Sequence, residues 1–381
     1  MKARAHKAWA KLRRPASVML LPVSVLPLIV AVPMVINNRL SLLRYYESPA
    51  FPAPTRPLSA AQQRAFKPLP AFTGAVPVLV YHGISNRGNG FSVTQRAFAA
   101  QMQALKLAGF QTVSIAQYDR FQLGDTRGLP ARPVLITFDG GLLDSFRGAD
   151  KVLAQEGFRA TMFVITGAIV DKNPLHLSWT ELRRMKNSGR WDIQPETYQG
   201  HVKITVDAHG DQAPFYAMRR WLRSTGEETF AQYQRRVAGD LFTLAGQFTS
   251  QGIPVHAIAV PFGDYGQQDA GNDPRIVPFT LGLMKTQFGT VFVQNPDNNP
   301  PFTTPTGGGL QQRWEANRST TAWDLYTWLR AHDPAERTAP ARTSTAKPAT
   351  PTKPAIRRAA PAAATPIPKE TKPEKDHVRH H

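Results

Sequence analysis

Between residues 73 and 333, short apolar runs alternate with amphipathic stretches, and this alternation limits the fold more than any other feature of the chain. Residues 76–81, 110–114, 134–138, 160–165, 191–194, 255–260 and 290–293 read as strands. Runs this short and this apolar, bounded by glycine and turn residues, are the pattern of buried strands. Between them, Phe98, Met102, Leu105 and Leu107 mark a helix that ends at Gly109. A second helix runs from the Gly140-Gly141 turn to about residue 155. A third opens at Ser178, where Glu181 can complete a capping box, and stops near Gly189. A long helix over about 227–251 and a closing one over 321–331 complete the set. Repeated βα units imply an α/β fold built on a parallel sheet or barrel.

The ends of the chain are of a different kind. Lys2, Arg4, Lys7, Lys11, Arg13 and Arg14 precede an uncharged stretch over 15–38, whose core at 18–36 is long enough to span a bilayer. The positive-inside rule keeps the basic side in the cytosol and sends the rest of the chain outside. Pro22, Pro27 and Pro33 would kink such a helix, which membrane helices tolerate. A cleaved signal peptide, cut near Ala31 or Ala50, is the competing reading. The length of the run and the lack of a clean small-x-small site favour an uncleaved anchor. The expected organisation is therefore a basic cytosolic segment (1–16), a transmembrane signal anchor (17–37), a proline-rich linker (38–72), a folded domain (73–333) and a disordered basic tail (334–381).

The formal charge of +19 points to polyanionic surroundings, and much of it sits at the two ends. The tail lacks aromatics and cannot bury enough surface to fold, so it is either an arm that touches polyanions or an inert extension. Nucleic acid is an unlikely partner, because the basic residues flank a membrane segment and an extracytoplasmic tail. There are no cysteines, which excludes disulfides and thiolate metal sites.

The run Leu135-Ile136-Thr137-Phe138-Asp139-Gly140-Gly141 delivers Asp139 to a glycine-rich turn at the C-terminal end of a strand, where catalytic carboxylates of α/β folds sit. Alone, an Asp there is as well read as a helix cap. Further motifs arrive in order: Val78-Leu79-Val80-Tyr81-His82, then Trp191-Asp192-Ile193-Gln194-Pro195-Glu196-Thr197-Tyr198-Gln199-Gly200-His201, then Val260-Pro261-Phe262-Gly263-Asp264-Tyr265. Together they resemble the polysaccharide deacetylases, the NodB-homology domains of carbohydrate esterase family four, and are most similar to the subgroup acting on poly-N-acetylglucosamine-type polymers. The resemblance covers roughly residues 76–330 and implies a distorted (β/α)7-type barrel. It also implies a divalent metal such as Zn or Mn held by one Asp and two His, with a free Asp as base.

Carried onto this chain, the resemblance makes Asp139 the base, while Gly140 stands where the family has its Asp ligand. Glu196 replaces the first His ligand, and His201 alone matches. The usual Arg three residues before the Pro-x-Gly loop is absent, with Ile258 in its place, and no late catalytic His is found, His332 lying at a helix end beside the tail. Asp139, Glu196 and His201 can form a carboxylate-rich set for a harder ion such as Mn²⁺ or Mg²⁺, which would use up the base. Asp144, Asp207 and His209 are further helpers without a spacing argument. His82, Tyr198, Pro261, Phe262, Gly263 and Tyr265 are the expected substrate-side residues. Each has a bland alternative: a structural His, a turn, or a core aromatic, as expected for Trp191. The implied function is action on, or binding of, an N-acetylated cell-wall or exported glycan at the cell membrane, with the metal-dependent mechanism impaired. The alternative is a catalytically inactive glycan-binding or scaffold module.

Overall fold

The computed structural model describes residues 57–335, apart from 87–89, 170–172, 174, 268–270, 295–301 and 306–308. The expected anchor at 17–37 and all but the first two residues of the tail lie outside the described residues. Among the described residues, no helix is long and apolar enough to cross a membrane.

The labelled elements follow in chain order. β1 (Val76–Tyr81) leads to α1 (Gln95–Leu107) and α2 (Ile115–Gln122). β2 (Pro133–Phe138), α3 (Leu143–Glu156), β3 (Ala160–Ile165), α4 (Trp179–Asn187) and β4 (Trp191–Thr197) form the next βα units. α5 (Phe230–Ser250), β5 (Ala257–Ala259), α6 (Ile276–Phe288) and β6 (Thr290–Val293) follow. β7 (Leu310–Gln312), β8 (Trp314–Ala316) and α7 (Ala322–His332) close the series.

The parallel ladders run β8–β1–β2–β3–β4 in one sheet and β5–β6–β7 in another. β1 and β2 are buried along their whole length. That is why they read as unbroken apolar runs: parallel strands are covered on both faces. Two devices join the sheets. Gln194 in the middle of β4 accepts from the His256 and Ala257 N–H groups at 2.8 and 3.0 Å and donates to the Pro254 carbonyl at 3.0 Å, binding β4 to β5. The segment 310–316 pairs first with β6 and then with β1, so the chain changes sheets at Arg313, whose N–H bonds the Val293 carbonyl at 3.1 Å.

Register decides what meets at the strand ends. Tyr81 lies opposite Phe138 in the β1–β2 ladder, so the next residues, His82 and Asp139, emerge side by side. The Asp139 N–H donates to the Tyr81 carbonyl at 3.1 Å and fixes this exit.

Three sequence expectations change. Residues 57–72, expected in the linker, pack onto the domain. Leu58, Phe66 and Leu69 are buried, and Phe66 meets Trp323 and Tyr326 edge-on. The domain therefore starts earlier than residue 73, because three apolar anchors among the prolines suffice to hold the strap. The helix expected from about 227 starts at Phe230, since Thr229 and Gln232 form the capping box and Gly226–Glu227 pair with Trp221–Leu222 instead. Helix α6 had no counterpart in the reading. Its apolar residues surround the helix, so no stripe marks it, and Pro278 is tolerated because it falls in the first turn.

Candidate functional site

The ends of β1, β2 and β4, the turn after β5 and the β7–β8 switch bring His82, Asp139, Glu196, His201, Phe262 and Arg313 to one end of the parallel strands. Arg313 has no counterpart in the sequence reading, and it organises the site. Its guanidinium is fully buried and grips Asp139 in a fork, Nη1 to Oδ1 at 2.7 Å and Nη2 to Oδ2 at 2.6 Å. The cation lies near the rings of Phe163 and Phe292, 5.5 and 5.9 Å from their centroids. A two-point Arg–carboxylate contact in such surroundings is strong and geometrically fixed. The sequence signal was weak: one Arg between the short runs 310–312 and 314–316, in a position whose burial requires a carboxylate partner.

Arg313 also orients its neighbours. Its Nη2 donates to Gln294 Oε1 at 3.3 Å, which turns the Gln294 amide nitrogen toward His82 Nε2, 3.0 Å away. An amide nitrogen can only donate, so His82 Nε2 accepts and the ring proton belongs on Nδ1. Nδ1 faces Glu315 Oε1 at 3.5 Å, and Nε2 lies 3.7 Å from Asp139 Oδ2.

Glu196 is almost fully buried. Its Oε2 accepts the Gly140 N–H at 2.7 Å, and its Oε1 lies 3.5 Å from His201 Nε2. Burial, and then the Asp139 charge, push its carboxyl well above the usual range, against the opposing effects of the Gly140 bond and Arg313. The neutral acid is thereby favoured. Burial lowers the His201 imidazole, and His82 adds to this. His176, lowered by burial and by His201, lies on the same side, with Nδ1 3.1 Å from the Asn173 amide.

The turn that carries His201 is held from behind by Asp240 of α5. Asp240 Oδ2 accepts from Thr197 Oγ1 at 2.8 Å, Tyr216 OH at 2.5 Å and Tyr198 N–H at 3.1 Å. Its Oδ1 accepts from Gln199 N–H at 2.6 Å. On the other side, the Phe262 ring lies 4.4 Å from that of His201. Phe262 is 41 % exposed and has φ 59°. No other non-glycine residue among those described has positive φ, and for a bulky side chain this is a strained state found mostly at functional sites. Gly263 makes the turn possible, since a Cβ there would lie 2.6 Å from the Gln294 carbonyl oxygen.

Several expected residues fall elsewhere. Tyr265 is buried in the core, because the Phe262-Gly263 turn points Phe262 out and brings Tyr265 in. Tyr198 is half-buried and packs against the core. Pro261 is buried under the turn. Asp207 and His209 belong to a hairpin turn, where Asp207 Oδ1 accepts from His209 and Asp211 N–H groups at 2.9 and 3.0 Å. Asp144 sits in the first turn of α3, its carboxyl raised by burial, and His332 Nδ1 bonds the Trp328 carbonyl. Trp191 is a core residue as expected.

The residues present do not fit a divalent metal. The expected Asp139–Glu196–His201 set is in place, but both Asp139 oxygens are taken by Arg313 and Glu196 Oε2 by Gly140. A second cation beside the buried guanidinium would be repelled. Among the described residues, no group of three or more His, Asp or Glu side chains is arranged to hold a metal. Gly140 itself has φ 84°, and a Cβ there would stand 3.2 Å from Leu142 Cγ. Gly140→Asp should therefore lower stability by about 1–2 kcal/mol in thermal melts and give no Zn²⁺ binding by calorimetry. An unchanged melt together with stoichiometric Zn²⁺ would show that one missing carboxylate was the whole defect.

Residues 126–237 match the family model described as Polysaccharide deacetylase, a segment that contains Asp139, Gly140, Glu196 and His201. This segment is similar to polysaccharide deacetylases. A putative polysaccharide deacetylase of Bacillus subtilis, YxkH, is 34% identical over 114 residues, 30% of this chain and 39% of that protein. The poly-beta-1,6-N-acetyl-D-glucosamine N-deacetylase of Escherichia coli K12 is 25% identical over 189 residues, 45% of this chain and 28% of that protein. The matched region thus spans well under half of either relative. Two solved structures share the deacetylase fold. A de-N-acetylase from Aggregatibacter actinomycetemcomitans superposes with a TM-score of 0.56 at 17% identity, covering 67% of this chain and 100% of that one. IcaB from Ammonifex degensii gives 0.51 at 22% identity, covering 69% and 97%. His82, Phe262 and Arg313 lie outside the segment matched by the family model.

Proposed function

We propose that this deacetylase domain binds an N-acetylated glycan of the poly-N-acetylglucosamine type in the cleft above Asp139, and that metal-dependent hydrolysis is impaired in it. The carrying observation is the Arg313 fork on Asp139, which occupies the carboxylate that would serve as base or ligand. Relatives named for poly-beta-1,6-N-acetyl-D-glucosamine support the choice of polymer. The exposed Phe262 and His201 and the half-buried His82 are the groups a sugar ring can reach. In this reading the two sheets close as a distorted (β/α)7-type barrel, the N-terminal segment anchors the chain in the cell membrane, and the basic tail touches wall polyanions.

A second reading rests on His82. With its proton on Nδ1 facing Glu315 and its Nε2 accepting from the Gln294 amide, it becomes a general base with an orienting carboxylate once Gln294 turns away. It can then take a proton from water attacking the acetyl carbonyl and return it to the departing amine, giving acetic acid and free amine, which exchange one proton at neutral pH to become acetate and ammonium.

The two readings separate in one assay of the full chain with β-1,6-linked N-acetylglucosamine oligomers. Saturable binding with background acetate release, unaltered by Zn²⁺ or by chelator, is the expected result. Acetate release that survives chelator and is lost in His82→Ala would favour the second reading. Acetate release stimulated by metal would contradict both.

A further inference from the structure

Where the described chain begins, Pro57 and Leu58 form one wall of a cavity of about 590 Å³. Ala97 of α1, Phe66 of the strap and Trp323 of α7 supply further apolar lining. Trp323 is 50 % exposed, although its ring lies 5.7 and 5.5 Å from those of Phe66 and Tyr326. A large aromatic left open over an apolar hollow marks an interaction surface, unlike a solitary surface side chain.

We infer that residues 49–56 of this same chain occupy the cavity, with Phe51 against the open face of Trp323. Three observations carry this. The first is continuity. Pro57 lines the cavity, and Phe51 precedes it by six residues, about 19 Å of chain at ~3.1 Å per residue. A separate protein would bear the full cost of association, whereas this segment is tethered at the rim, at an effective concentration of millimolar order. The second is composition. Pro49, Pro52 and Pro54 surround Phe51, and proline-rich segments favour the polyproline II form that docks on aromatic-lined grooves. The third is charge. Glu47 is the only acidic residue among the first sixty, and Arg96 and Arg318 line the cavity. Arg318 bonds the Ser85 and Asn86 carbonyls, each at 3.0 Å, which leaves its charge uncompensated by them and able to attract Glu47.

The position of the cavity gives the docking a consequence. Thr94 and Thr321, the N-caps of α1 and α7, also line it. These helices follow β1 and β8, so they start at the end of the parallel strands that carries His82 and Asp139. The docked segment brings the chain into the domain at the site end. It also shortens the free tether from the expected anchor, from residues 38–56 to 38–48, which restricts how the site can turn. None of this depends on the glycan reading.

Full-length protein labelled with 5-fluorotryptophan and held in lipid nanodiscs tests it by fluorine NMR, with Trp323→Phe to assign the resonance. Phe51→Ala should lower the ratio of covered to uncovered Trp323 by about tenfold or more, the effect of losing one buried aromatic side chain. Pro52→Gly/Pro54→Gly should shift it the same way, because the freer chain loses more entropy on docking. The resonances of Trp191 and Trp328 should stay where they are, showing an intact domain. Coverage that survives Phe51→Ala and follows protein concentration would give the cavity to a second copy and overturn the inference. A Trp323 resonance unmoved by either variant and by concentration would overturn it as well.

Discussion

Arg313→Met should lower the stability of this protein by about 3–5 kcal/mol, the cost of leaving a buried carboxylate without its partner. Asp139 is buried and receives both of its strong bonds from this guanidinium. Methionine keeps an unbranched apolar stem but returns no charge and no donors. Gln294 also loses the donor that sets its amide, so His82 loses its fixed tautomer. For a domain of this size the melting temperature should fall by roughly 6–15 °C. The double variant Asp139→Asn/Arg313→Met removes the orphaned charge and should recover at least half of the loss. A single-variant loss under about 1 kcal/mol would mean that water or another cation reaches Asp139, and that the fork is not what holds the site.

Asp240→Asn should cost about 2–3 kcal/mol and also disturb a residue it never touches. The carboxylate takes four donors, three on Oδ2 and one on Oδ1. Asparagine has one oxygen and one NH₂, so either orientation aims a donor at a donor, and buried groups left unmatched cost about 1–3 kcal/mol each. The turn from Thr197 to Gly200 should loosen, which separates His201 from Glu196 and Phe262. The His201 imidazole is lowered chiefly by burial, so its titration followed by NMR should move up toward the ordinary histidine value as the ring becomes solvated. A destabilised variant with an unmoved His201 titration would reduce Asp240 to a structural role.

The fold was legible where burial is uniform. β1 and β2 are covered on both faces, and their apolar runs could be read without ambiguity. Capping chemistry was local enough to read as well, as at Ser178 and Glu181. Helix α6 escaped because its apolar residues encircle it, and the strap over 57–72 because a few buried anchors among prolines resemble a spacer. Within the site, the ladder register brought together His82, Asp139, Glu196 and His201, all of which motif order had singled out. Arg313 was out of reach for a physical reason. It is far from Asp139 in sequence, and its meaning comes from a segment that changes sheets between β7 and β8, which no local pattern records. Tyr265 misled for the opposite reason: a loop residue near a motif looks exposed until a strained turn at Phe262 rotates it into the core.

Whether this site holds a divalent cation decides between a metal-dependent deacetylase and an impaired one. Elemental analysis of the full-length protein, followed by calorimetric titration with Zn²⁺ and Mn²⁺, measures this directly, with His201→Ala and Asp139→Asn as controls. With Arg313 holding Asp139, any metal retained should be sub-stoichiometric and unchanged in both variants. One tightly held ion per chain, lost in both, would contradict it and would mean that Arg313 releases Asp139 when the metal arrives.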